Sequence, residues 1–201
     1  MKDKSAENFS AALQALKRGG VIVFPTETFY GLGVDALDAA AIERIVFLKG
    51  RNPDSPIAVI VADREMLTQV VPEVSPITEK LISRFWPGPL TLVLPAKHGL
   101  PAPLLNREGK IGVRVSSHPI AIRLTRELGR PITATSANPS RKRPARTIQE
   151  ARGYFVGGIE VFLHAGSLTG RAGSTVVEVI GSRLKVIREG EISLTELEKC
   201  I

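Results

Sequence analysis

Short runs of apolar, often β-branched residues alternate along this chain with stretches of helical spacing, and no other feature narrows its fold as much. Val21, Ile22, Val23 and Phe24 are continuous, the pattern of a strand buried on both faces. They follow a helix predicted over 5–18, in which Ala12, Leu13 and Leu16 recur at helical spacing and which Gly19-Gly20 stops. Strands are expected again at 57–61, 90–94, 111–115 and 132–135. Helices are expected at 39–48, near 65, at 77–85 and at 119–128, the last with Pro119 in its first turn. Residues 95–110 hold three prolines and two glycines and read as a surface loop. A helix at 148–154 precedes three strand-like runs at 159–163, 175–180 and 184–187, and a short capped helix closes the chain at 193–199. This alternation, with extra strands late, predicts an α/β fold: a single domain over 1–201 built on a twisted mixed sheet flanked by helices.

Composition removes several classes. Apolar residues at 43% and charged ones at 23% suffice for a core. No apolar run approaches the roughly 20 residues that span a bilayer. The opening MKDKSAENFS carries acids and lacks the apolar stretch of an export signal. Cys200 stands alone, which excludes a disulfide framework and a cysteine-based zinc site. A soluble, cytoplasmic chain is expected, with no membrane partner. Its 27 Lys+Arg against 20 Asp+Glu give +7, a weak pointer to nucleotide or nucleic acid that solubility explains equally well.

The familiar catalytic signatures are missing. There is no G-x-x-x-x-G-K-[ST], Gly31-Leu32-Gly33 lacks the third glycine of a dinucleotide loop, and no G-x-S-x-G elbow occurs. His98, His118 and His164 lie far apart without ligand spacing, so no metal ligands are assigned to the protein. Polar residues at strand ends remain, where open α/β sheets bind ligands. They are 26–30, Ser136-Ala137-Asn138, and Gly173-Ser174-Thr175 leading into a late strand. Lys49 and Arg51, two apart at a helix C-terminus, can aim at one anion; equally, they can complement the helix dipole, worth ~0.3–1 kcal/mol. Ser136 to Asn138 also suits an Asx-type turn.

Taken in order, P-T-E-T-F-Y-G-L-G from Pro25, L-K-G-R from Leu48, W-P-G-P-L-T from Trp86, V-R-V around Arg114, T-S-A-N from Thr135 and S-T-V-V from Ser174 resemble the YrdC-like family of threonylcarbamoyl-AMP synthases. The resemblance runs from about residue 10 to 190 and is to the short, single-domain form. It implies a mixed α/β fold with a basic concave face. It also implies an enzyme that joins L-threonine, bicarbonate and ATP into threonylcarbamoyl-AMP and releases pyrophosphate. Magnesium would come with ATP rather than be held by the protein. The product would serve tRNA modification beside the anticodon, with tRNA met directly or through downstream transfer proteins.

The resemblance also implies roles. Lys49 and Arg51 are the catalytic pair that neutralises phosphate and carbamate, and Ser136, Asn138 and Arg188 complete the ATP site. Thr28, Arg114 and Ser174 surround threonine, with Arg114 on its carboxylate. Tyr30 packs against substrate or in the core. Two departures stand out. Ile60 occupies a position where longer members carry a histidine, which bears on selection of threonine over serine. Arg141-Lys142-Arg143, with Arg146 nearby, replaces a serine/threonine-glycine turn. That cluster reads as a solvated loop, a triphosphate contact or an RNA contact. Aromatic residues, at 5%, are not interleaved with the cations, which argues against a single-strand stacking platform. A different class of reading is a non-catalytic module for double-stranded RNA or tRNA. Carbamoyl-adenylate chemistry, as in hydrogenase-maturation proteins, is disfavoured because that domain sits in much longer chains.

Overall fold

Local chemistry fixes where each element begins. The computed structural model describes residues 4–52 and 55–201. Helix α1 (Lys4–Lys17) leads through Gly19, at φ +74°, into strand β1 (Ile22–Pro25), and a turn at 26–29 returns the chain as β2 (Tyr30–Gly33). In α2 (Ala39–Lys49) the Asp38 carboxylate accepts from the Ala41 N–H, and Gly50 ends the helix in the left-handed conformation. Then come β3 (Val59–Ile60), α3 (Arg64–Leu67), α4 (Pro76–Phe85), β4 (Leu90–Pro95) and β5 (Lys110–Arg114). Within the expected loop, Ala102–Leu104 forms a single 3-10 turn. Helix α5 (Pro119–Leu128) has proline in its first turn, with His118 as its N-cap. Strands β6 (Ile132–Thr133) and β7 (Thr135–Ser136) precede α6 (Ile148–Tyr154), which opens with a Thr147/Glu150 capping box. Strands β8 (Val161–Phe162), β9 (Thr175–Ile180) and β10 (Arg183–Arg188) and helix α7 (Leu194–Glu198) complete the order.

The mixed α/β class holds, but the strands form two sheets where the pattern suggested one. One has the order β7-β2-β1-β8 and the other β10-β9-β4-β5-β3-β6, and each contains parallel and antiparallel pairs. Two sequence expectations change with this. Residues 30–33, read as part of a polar stretch, are a fully buried strand in which Gly31 and Gly33 lie against the Phe24 ring; a Cβ on Gly33 would stand 2.8 Å from that ring, and one on Gly31 would be tight at 3.3 Å. The run at 132–135 is two strands, and the chain passes from one sheet to the other across Ala134. The corner is tied down where Thr133 N donates to Val34 O and Val34 N donates to Thr133 Oγ1.

Two apolar clusters support the sheets. The larger packs α2, α4 and the loops against both sheets through residues such as Ile42, Ile45, Leu81, Leu92 and Val113. The smaller joins α1 and α5 to β1 and β3 through Phe9, Leu16, Phe24, Ile60 and Leu124. Among the described residues, no helix is long and apolar enough to cross a membrane. Between the two sheets a cavity remains open to solvent.

Candidate active site

The cavity holds about 500 Å³ and is walled by the 26–31 turn, by β4 and β5, by β7, and by β9 and β10. Strand alternation explains its lining. Thr91 and Val93 on β4, Gly112 and Arg114 on β5, and Ser174 and Val176 at β9 point to the same side. The structure brings together seven of the residues singled out from sequence: Thr28, Tyr30, Arg51, Arg114, Ser136, Ser174 and Arg188 all line it.

Each arginine is held by its neighbours. Arg51 donates through Nε to Ser55 O (2.7 Å), through Nη2 to Pro56 O (2.8 Å) and through Nη1 to Thr135 Oγ1 (3.1 Å). Arg188 donates through Nη2 to Ser174 O (2.7 Å) and Ser174 Oγ (3.1 Å). Arg114, 6% exposed, pairs through Nη1 with the Glu27 carboxylate. Burial lowers the pKa of all three. Arg188 adds to the effect on Arg51 and Arg114 to that on Arg188, whereas Glu27 opposes it at Arg114. Cations therefore run in a chain through the site, and a polyanion would relieve their mutual repulsion.

The hydroxyls are also ordered. Thr26 Oγ1 donates to Phe29 O (2.7 Å), so the 3.1 Å contact between Thr26 and Thr28 leaves Thr28 as the donor there. Its lone pairs stay available to a ligand. Thr91 Oγ1 and Ser174 Oγ lie 2.8 Å apart, and Ser174 Oγ also accepts from Arg188. Whichever of the pair donates to the other, one hydroxyl proton remains for a ligand acceptor. Gly170 closes the loop over this corner, since a Cβ there would stand 2.2 Å from Thr28 O.

Other singled-out residues stand elsewhere. Lys49 is 4% exposed and does not line the cavity. Its Nζ donates to Ser136 O (2.5 Å) and Asn138 O (2.7 Å), and its own carbonyl accepts from Ser140 N. Burial, and secondarily Arg51, lowers its pKa from 10.5 to about 7. Asn138 is 5% exposed and gives its amide protons to Pro139 O and Lys142 O (both 2.8 Å), while its Oδ1 is buried without a partner. Both side chains are thus engaged with the backbone of 136–142 rather than turned to the cavity. Arg141, at φ +69°, Lys142, Arg143 and Arg146 are exposed outside the lining, and Arg146 lies 5.8 Å over the Phe29 ring. Tyr30, although it borders the cavity, is fully buried, and its hydroxyl donates to Gly166 O (2.8 Å) and accepts from Ala165 N (2.9 Å). Ile60 is the register partner of Arg114 but is fully buried in the α1–α5 cluster, outside the lining.

Sequence reasoning gave no site role to Thr91, although a hydroxyl inside the apolar run Leu90 to Leu94 was the available clue. Thr135 was missed too, because its link to Arg51 spans 84 positions of sequence.

The Sua5/YciO/YrdC family model, described as "Telomere recombination", matches residues 14–190. A threonylcarbamoyl-AMP synthase of Pyrococcus abyssi is 38% identical over 186 residues, which are 92% of this chain and 55% of that protein. A putative threonylcarbamoyl-AMP synthase of Mycobacterium tuberculosis is 33% identical over 199 residues, 99% of this chain and 91% of its own length. The P. abyssi Sua5 structure complexed with L-threonine superimposes with a TM-score of 0.93 at 35% identity and covers all of this chain, which spans 59% of that one.

Proposed function

The chain belongs to the Sua5/YciO/YrdC family, and from that premise we propose that it is an L-threonylcarbamoyladenylate synthase, a nucleotidyltransferase acting in the cytoplasm. The observation that carries the reading is the convergence of Arg51, Arg114 and Arg188 with Thr28, Ser136 and Ser174 in one cavity whose described lining holds no His, Cys, Asp or Glu to serve as, or activate, a nucleophile. The threonine amine and bicarbonate give a carbamate with loss of water; a carbamate oxygen then attacks the ATP α-phosphate and pyrophosphate leaves. Such a transfer needs position and charge rather than a covalent intermediate.

Arg114 receives the threonine carboxylate, Thr28 accepts from its ammonium or hydroxyl, and the Thr91–Ser174 pair donates to an acceptor of the same substrate. Arg51, Arg188 and Ser136 hold the phosphates, with Arg51 presenting its remaining N–H groups. Val93, Val176 and Ile187 form an apolar wall suited to a nucleobase face. Among the described residues, no group of three or more His, Cys, Asp or Glu is placed to hold a metal. The cations and hydroxyls suit a polyphosphate, and in the proposed reaction magnesium is taken to arrive with ATP. Arg141, Lys142, Arg143 and Arg146 are offered to RNA phosphates as a separate, exposed surface.

The test is pyrophosphate release from ATP and bicarbonate with threonine, serine or no amino acid, with the product mass. Threonine-dependent release and the mass of threonylcarbamoyl-adenylate are expected. Release with no amino acid dependence, or none at all from folded protein with magnesium, refutes the synthase and leaves the RNA-binding module.

A further inference from the structure

The 26–28 turn is two-sided. Thr26 and Thr28 line the cavity, and Glu27 between them does not. Its carboxylate, 13% exposed, accepts from Arg114 Nη1 with one oxygen and from Ser116 Oγ with the other. Ser116 is fully buried, and its Oγ accepts from His118 N (3.2 Å) at the residue that caps α5. Glu27 is therefore anchored to the start of a helix while it grips the arginine. Arg114 makes no other side-chain hydrogen bond within the described protein, and it lines the cavity, so Nε and Nη2 are left for a ligand.

We propose that Glu27 is a positioning residue for the amino-acid end of the site. Its carboxylate fixes one edge of the Arg114 guanidinium, so that the opposite edge meets the substrate carboxylate in the plane that paired N–H···O bonds require. Two physical needs converge here. A guanidinium on a flexible stem gives bidentate geometry only when its plane is set. A guanidinium this deeply buried also needs a counter-charge while the substrate is absent. One carboxylate from behind meets both needs and leaves the front open. The inference rests on the synthase reading of the cavity, with Arg114 at its amino-acid end.

Steady-state pyrophosphate release, with threonine and ATP each varied, compares the wild type with Glu27→Gln, Glu27→Asp and Ser116→Ala. Glu27→Gln is expected to raise the threonine KM about tenfold or more while the ATP KM stays within about twofold. Glu27→Asp, which keeps the charge, recovers part of that loss, and Ser116→Ala raises the threonine KM about threefold. A purely structural role moves stability and active fraction and leaves that ratio of KM values alone. An unchanged threonine KM in folded Glu27→Gln, or equal rises in both KM values, overturns the proposal. If Glu27→Gln does not fold, an unchanged threonine KM in Ser116→Ala does so. Calorimetric titration with threonine separates the two levels of inference. If the wild type binds threonine but releases no pyrophosphate, the synthase reading fails, and the Glu27→Gln affinity for threonine still decides the role of Glu27.

Discussion

Replacing Lys49 with methionine keeps most of a buried stem and removes an ammonium that has two carbonyl partners and, among the described residues, no carboxylate. A lysine pKa displaced from 10.5 to about 7 means that burial and Arg51 disfavour the charged form by about 5 kcal/mol. The consequence for stability has a definite sign. Between pH 7 and pH 9 the unfolded chain keeps this proton and the folded protein releases it, so the unfolded state binds more protons and stability rises with pH. With a folded value about 7, this one group contributes a gain of about 2 kcal/mol over that window. The rise continues toward 10.5 and is complete above it. A neutral amine still has two N–H donors, so both carbonyl bonds survive deprotonation.

Urea denaturation of the wild type and Lys49→Met at pH 7 and pH 9 tests this directly. The wild-type stability, minus that of the variant, should increase by about 2 kcal/mol from the lower to the higher pH. Parallel pH dependences would refute the reasoning, because they would mean that Lys49 titrates alike in folded and unfolded chains. Activity provides the second readout. Loss of the amine frees Ser136 and Asn138 carbonyls from their clamp and lets the Ser136 hydroxyl drift from the cavity. Pyrophosphate release should then fall at least ~10²-fold in protein that remains folded.

Three further outcomes are expected. Arg51→Lys cannot reproduce the fork that spans Ser55 O, Pro56 O and Thr135 Oγ1, and it should cost at least ~10²-fold in pyrophosphate release with an unchanged circular dichroism spectrum. Thr91→Val removes the hydroxyl partner of Ser174, about 1 kcal/mol, and should raise the threonine KM about fivefold, while Thr91→Ser stays near wild type. Neutralising Arg141, Lys142 and Arg143 together should weaken RNA binding and flatten its dependence on salt by about 3 phosphate contacts; an unchanged slope would leave the cluster as a solvated loop.

What the sequence disclosed follows from how local each determinant is. Helices α2, α5 and α6 are legible because spacing and caps lie within a dozen residues, and α5 and α6 begin and end where the pattern places them. The cavity arginines are legible because they sit at strand ends or on irregular segments of a recognisable order. Strand β2 was not, because its two glycines suggest a turn until the Phe24 ring is placed against them. Nor was the second sheet, whose β7 is two residues long and pairs with β2 over a separation of about a hundred residues. The orientation of Lys49 was equally hidden. Its neighbour in sequence is Arg51, yet its hydrogen-bond partners are 87 and 89 positions away.

The two-sheet arrangement explains why the site can be rich in cations and still folded. Each arginine enters the cavity from a different wall: Arg51 beyond α2, Arg114 from β5 and Arg188 from β10. Each is tied by carbonyl, hydroxyl or carboxylate groups, Arg51 partly by Thr135 of β7 and Arg114 by Glu27 of the 26–29 turn. Among the described residues, Arg114 alone of the three has a carboxylate partner, so the cavity of the free protein carries positive charge that these residues do not compensate, in a partly desolvated space. On the proposed synthase reading, a bound triphosphate would remove that penalty, and nucleotide affinity would be partly a release of strain in the free protein. On the same reading, threonine sits beside Arg114, where Glu27 already supplies one negative charge, so its carboxylate should gain less from raw attraction and more from fixed geometry. The phosphate end of the cavity should therefore lose affinity steeply as salt rises, while the amino-acid end should depend chiefly on the alignment that Glu27 and Ser174 impose.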